Sequence, residues 1–379
     1  MGKINLQGRW RKKPVIAGAI VALAVVMAGF VYVNRQKNKV YKSYTVKSSV
    51  EVDGQILTQY KEFAGGILRY SADGISFYKD GREVFNKAIT INSPILSTCG
   101  DYIVMAERKS NEIYLIDIKG NQTNLTATYP IVDIDVSEQG VVAATLDDGT
   151  ANYVELYDKE NSKLVGGRTV LAGDGYPIDI SIANDATRLV VSYLAVSAGS
   201  AQSKVVFYNY TSVGENEVDR IVGGFNQYKS TIVPDVNFIN NTTVVAVGDN
   251  MFSIYSIKQK PKLLYEQEFE EKIQAVFYSS KYIGIVFESN DSSYSQVLKV
   301  YNKNGEKVFS KSLDFRYNDI TFAGDNVVVY DESTCRMYSF TGKERFHYTF
   351  DKNIVKLVPV NDNKYIIVSD SSIEEIELK

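Results

Sequence analysis

Residues 316–350 read RYNDITFAGDNVVVYDESTCRMYSFTGKERFHYTF, and four strand-like runs can be marked off within them. The runs lie at 319–322, 327–330, 336–340 and 345–350, with turn-forming residues at 323–326, 331–334 and 341–343 between them. Val, Ile, Tyr and Phe suit a pleated, half-buried surface, whereas Gly, Asn, Asp and Ser supply the backbone freedom of tight turns. Four short strands with their turns consume about 40 residues, the length of one β-propeller blade.

The third run of that unit recurs along the chain. ISFYKDG (75–81), IYLIDIKG (113–120), YVELYDKEN (153–161), VVFYNY (205–210), FSIYSIK (252–258), LKVYNKNG (298–305), MYSFTGK (337–343) and IEEIELK (373–379) are eight copies, spaced 36 to 52 residues apart. Helical periodicity is nearly absent from Tyr44 onward. The expected fold is therefore all-β, a β-propeller of eight four-stranded blades, with seven as the alternative count. The eighth copy stops at Lys379 without an outer strand, and YTVKSSVEV (44–52) is free to supply it. A ring closed across its chain ends has no open sheet edge at the seam.

A second cadence sits at the start of the first strand: IVDIDV, PIDIS, VPDVNF and YNDITF carry Asp133, Asp179, Asp235 and Asp319. Ile95, Gln274 and Val355 take that place in other blades. Such an Asp column can accept hydrogen bonds from neighbouring backbone N–H groups, or it can gather carboxylates round a channel mouth to bind a ligand or cation. With strands a and c running down from a top face, the column lies on that face, as do the b–c loops. The two longest of these are Ala195–Lys204, with its SAGSAQS tract, and Glu288–Gln296, which carries Tyr294. Asp133, Asp179, Asp235, Asp319 and Tyr294 are the candidate ligand-binding residues.

Residues 14–33, PVIAGAIVALAVVMAGFVYV, contain no charge, and as a helix they would span about 30 Å, the thickness of a bilayer core. This is longer than the apolar part of a cleaved signal peptide, so an uncleaved single-pass anchor is expected. Residues 1–13 then form a basic cytoplasmic tail, 34–43 a basic linker and 44–379 an extracytoplasmic domain. Nine of the 42 basic residues lie in 1–43, which has no Asp or Glu; the remainder carries 33 basic against 45 acidic side chains, net −12. That surface repels phosphate backbones, and nucleic acid is not an expected partner.

Chemistry is sparse. His347 is the only histidine, so neither a Ser–His–Asp triad nor a multi-histidine metal site can be assembled readily. No phosphate-cradling glycine loop, dinucleotide fingerprint or nucleophile elbow occurs. The two cysteines, Cys99 and Cys335, are expected to be free thiols on opposite propeller faces. No catalytic residue, metal or cofactor is assigned. Paired carboxylates, Asp147–Asp148 or Asp133 with Asp135, leave one enzymatic alternative, an envelope glycan hydrolase or lyase. Asp147 and Asp148 precede Gly149, however, and also read as a turn.

PIDISIANDATRLVVSY (177–193) resembles the repeat of periplasmic TolB-like propellers, more distantly that of WD40 propellers. The layout of one N-terminal anchor plus a divergent propeller resembles an uncharacterised family of single-pass proteins of Gram-positive bacteria. WD40 blades proper would carry Trp–Asp pairs, and the only Trp here is Trp10. The resemblance implies a membrane-held module that binds or assembles an envelope protein, peptide or glycan.

Overall fold

Eight antiparallel sheets of four strands carry the described chain from Tyr44 to Leu378. The computed structural model describes residues 39–379 apart from 54–56, 171–174, 198, 229 and 290–294, together with Leu23, Val26, Met27 and Gly29. Blades 1 to 7 span 59–88, 94–126, 131–170, 176–225, 235–268, 273–313 and 319–349, and in each the strands a to d lie in sequence order. The eighth sheet is ordered Ile354–Pro359, Lys364–Ser369, Ser372–Leu378 and then Tyr44–Glu51. All eight quoted copies fall on strand c, and the blade count is eight rather than seven.

Burial follows strand position. The b strands are sealed on both faces, as in Asn326–Tyr330, where all five residues are buried. The outer d strands alternate, as in Glu344–Thr349 and Lys262–Glu268, because only one side of an outermost strand is covered. The core is a set of layers between blades. Ile320, Val327 and Val329 of blade 7 pack with Val286 and Leu298 of blade 6. Ile67 and Tyr78 of blade 1 pack with Val358 and Ile366 of blade 8, which closes the ring.

The entering chain is fastened at the bottom, where d strands start and c strands end. Tyr41 N–H donates to Arg345 O (2.7 Å), Lys42 N–H donates to Lys379 O (2.8 Å), and the Arg345 Nε–H donates to Lys39 O (2.9 Å). The Tyr41 ring is buried among Phe346, Tyr365 and Leu378. The chain therefore joins the propeller on the face opposite the starts of the a strands.

The 14–33 segment, apart from the four N-terminal residues named above, lies outside the described residues. Among the described residues no helix is long and apolar enough to cross a membrane. Both cysteines are free, Cys99 at the a–b end of blade 2 and Cys335 at the b–c end of blade 7.

Candidate functional site

Three of the four recurring aspartates line one cavity at the top of the channel. Asp133, Asp179 and Asp235 share a space of about 390 Å³ with Asp135, Ser97, Ser181, Asn237 and Tyr278. They arrive there from successive a strands, Ile131–Val136, Tyr176–Ile182 and Asp235–Asn240. Asp319 is not among the lining residues. Tyr294 lies outside the described residues.

The column itself needs correction in two blades. Register shifts between Ile131 and Asp133, and between Pro177 and Asp179, mark Val132 and Ile178 as extra residues that turn each Asp toward the channel. Equivalent shifts at Gln274 and Val355 put Ala275 and Lys356, not Gln274 and Val355, in the Asp position of blades 6 and 8. Asp319 thus faces a lysine, and Lys356 Nζ donates to its Oδ2 at 2.5 Å. Tyr330 Oη donates to the same oxygen and the Ile320 N–H to the other. Asp319 is a tie between blades 7 and 8, separate from the cavity.

The inner strands of neighbouring blades do not form a continuous ladder, and side chains join them instead. The Val236 N–H of blade 5 donates to Asp179 Oδ2 of blade 4 (2.5 Å), and the Phe238 N–H donates to Ser181 Oγ (3.2 Å). One blade back, the Ile182 N–H donates to Asp135 Oδ2 (2.8 Å), while Ser97 Oγ of blade 2 donates to Asp135 Oδ1 (2.6 Å). The cadence of Asp, apolar, small polar, apolar now has a physical cause. Both polar positions point inward and can accept a backbone N–H from the next blade, each such bond contributing about 1 kcal/mol net.

Satisfying those donors crowds carboxyls together. Burial, reinforced by the charges of Asp235 and Asp133, pushes Asp179 up to about 9, while burial raises Asp133 to about 6 against the pull of Arg108. Burial also raises Asp135 and Asp235. Asp133 and Asp179 line the same cavity and their charges bear on one another, so at neutral pH a protonated Asp179 sits beside an ionised Asp133. Arg108 lies 3.9 Å from Asp133, and Lys61, whose Nζ donates to Leu96 O, supplies positive charge near Asp135. The Tyr278 hydroxyl is cut off from solvent beside the Asp235 carboxyl and makes no well-formed hydrogen bond.

A carboxyl whose folded value lies above its unfolded value of about 3.9 takes up a proton on folding, so its contribution is complete below that value and fades as pH rises through the folded one. Wild-type stability should thus fall between about pH 4 and pH 9. Asp179→Asn keeps an oxygen for the Val236 N–H and removes the titration. Thermal melts across that range should show the variant level with wild type near pH 4 and several kcal/mol more stable at pH 8.5. Parallel pH profiles for the two proteins would refute this assignment.

Other candidates resolve structurally. Asp147 Oδ1 accepts the Gly149 N–H, and Asp148 Oδ1 accepts the N–H groups of Thr150 and Ala151, round a turn in which Gly149 has φ +86°. The described residues of the SAGSAQS tract are strand on either side of a turn at Gly199 rather than a long loop. Strands b (Arg188–Ser197) and c (Ser200–Asn209) of blade 4 continue through it as a ribbon. His347 is half exposed on strand d beside Glu344. Among the described residues no group of three or more His, Cys, Asp or Glu could hold a metal ion.

The chain belongs to a family of unknown function (DUF5711), whose model matches residues 37–378. No curated protein matches it. Its fold is similar to that of BamB from Moraxella catarrhalis (13% identity, TM-score 0.55, covering 88% of this chain and 100% of that one). Saccharomyces cerevisiae Sqt1 is comparably similar (11%, 0.57, 90% and 99%), as is a chain of the complex of KlAtg21 with the coiled-coil of AgAtg16 (11%, 0.52, 79% and 100%). At these identities the likeness is one of fold.

Proposed function

We propose that this member of the DUF5711 family is a membrane-tethered, extracytoplasmic propeller that binds or assembles another protein of the cell envelope through its top face. The observation that carries the reading is the opposition of two faces. Residues 39–43 are fastened at the bottom, while the carboxyl-lined cavity and the blade 4 ribbon stand at the top. A tether so placed turns the top face away from the bilayer. The uncharged 20-residue stretch supports the anchor, and the basic residues before it support a cytoplasmic N-terminus. A similarly folded chain is solved in complex with a coiled coil, which agrees with protein binding as the use of such a scaffold.

The enzymatic alternative fits this geometry less well. Glycoside hydrolysis uses carboxyls about 5 to 9.5 Å apart, so that a sugar and a water fit between them. Asp135 is occupied by Ser97 and the Ile182 N–H, and Asp179 by the Val236 N–H, so neither carboxyl is free to serve as nucleophile or base.

The test is crosslinking capture from native membranes with wild type and with Asp179→Asn/Asp235→Asn, both checked for folding by melting. Capture of one protein by wild type, reduced severalfold in the folded double variant, is the expected result. Undiminished capture by the variant would remove the cavity from the interface.

A further inference from the structure

Strands b and c of blade 4 outrun their own sheet. They pair with each other from Arg188↔Asn209 to Ser197↔Ser200, whereas strand a follows b only as far as Leu194 and strand d follows c only as far as Val205. Past those points Ala195↔Gln202, Val196↔Ala201 and Ser197↔Ser200 form a two-stranded ribbon, and no described strand pairs with either outer edge. Protruding edges are usually guarded by Lys, Pro or a bulge, because open N–H and C=O groups recruit other chains. This one reads LAVSAGSAQS from 194 to 203, with no charge and no proline, and its register is unbroken. Six of the eight outer d strands differ, carrying charges as in KLLYEQE and KVFSKSL. Val196 is 76% exposed.

The ribbon's base is held in place. The Ser203 N–H donates to the carbonyls of Tyr228 and Thr231, the Val233 N–H donates to Ser203 Oγ (2.8 Å), and Ser192 Oγ donates to Val233 O (2.7 Å). An edge fixed before binding loses little entropy when a partner adds to it. Its root meets the acidic cavity, since Ser192 pairs with Asp179 in the same blade. The open edge from Ala195 to Ser197 is about 10 Å long, room for three residues of a peptide, and the paired stretch below it, from Leu194 down to Ser192, leads to the cavity.

We propose that the blade 4 ribbon is a strand-addition site, taking an extended peptide segment of a partner protein that carries a Lys or Arg toward the Asp179–Asp235 end. The backbone of the segment supplies the bonds the ribbon lacks, and its cation meets a cavity in which four carboxyl groups, Asp133, Asp135, Asp179 and Asp235, face two local basic groups, Arg108 and Lys61. This inference rests on the reading that the top face binds protein.

Fluorescence anisotropy with the full-length chain in detergent tests it, using a labelled octapeptide of alternating Thr and Val with one terminal Lys. Control peptides carry Glu in place of Lys, or N-methyl groups on alternate residues. Val196→Lys, and a chain with 195–202 replaced by Asn-Gly, should each bind the Lys peptide at least about tenfold more weakly while melting like wild type, and both control peptides should lose binding similarly. Equal binding by the ribbon variants, or none by wild type at about 1 mM, overturns the proposal. So does a concentration-dependent dimer that the short ribbon abolishes, which would make a second copy the occupant. Membrane capture that survives ribbon removal defeats the ribbon and spares the top-face reading, whereas absence of capture at every top-face position defeats both.

Discussion

Deleting residues 44–51 from the full chain should yield aggregated or protease-sensitive protein. The strand pairs with Ser372–Leu378 from Tyr44↔Leu378 to Glu51↔Ser372, and without it that strand becomes a bare edge at the seam of the ring. Side chains are lost as well. Tyr44 packs edge-on against Tyr348 at 5.1 Å and lies 5.2 Å from Phe350, and Val50 packs against the layer between blades 8 and 1. Aromatic pairs of this kind are worth about 1 kcal/mol each beyond their burial, and the ladder and seam add several more, out of a typical total of about 5–15 kcal/mol. Limited proteolysis beside a chain that keeps residues 39–51 gives the comparison. Equal protection of the two would contradict the closure.

Asp135→Ala should be the costliest single substitution at the channel. Its carboxylate holds Ser97 Oγ, the Val136 N–H and the Ile182 N–H, and so ties blades 2, 3 and 4. Alanine leaves a buried N–H of the inner strand without an acceptor and Lys61 without its nearby charge, a loss of about 3 kcal/mol. Urea melts should show it as a lower midpoint at unchanged slope. Asp179→Asn makes the contrast, since it keeps its acceptor and gains stability above neutral pH. A midpoint for Asp135→Ala within error of wild type would contradict the inter-blade role.

Much of this architecture is legible in the chain before folding, for reasons that differ by element. Strand c announces itself because it is apolar, alternating and closed by a turn such as Lys303–Gly305. The Asp cadence is visible because two inward positions of one strand both meet a backbone donor, as Asp179 and Ser181 do. What hides is anything set by one inserted residue or a distant partner. The bulges at Gln274 and Val355 move the column by one place, which conceals Ala275 and Lys356. Asp319 shares the motif of Asp179, yet its neighbour is a lysine 37 residues on, and so it leaves the carboxyl cluster. Tyr278 carries no signal at all, because a tyrosine in a strand is ordinarily a packing residue. The ribbon reads as a loop because Ala, Ser and Gly are weak strand formers, and cross-strand pairing with Arg188–Ser197 overrides that preference.

The most direct test of a tethered propeller that works through its top face is photocrosslinking from defined positions in the native membrane. A photoreactive residue at Val196 or Ile232 reports on the top, and one at Asn304 or Thr341 on the bottom; all four sites are exposed. The account predicts a discrete protein adduct from the top positions alone. The same adduct from the bottom positions, with none from the top, would contradict it.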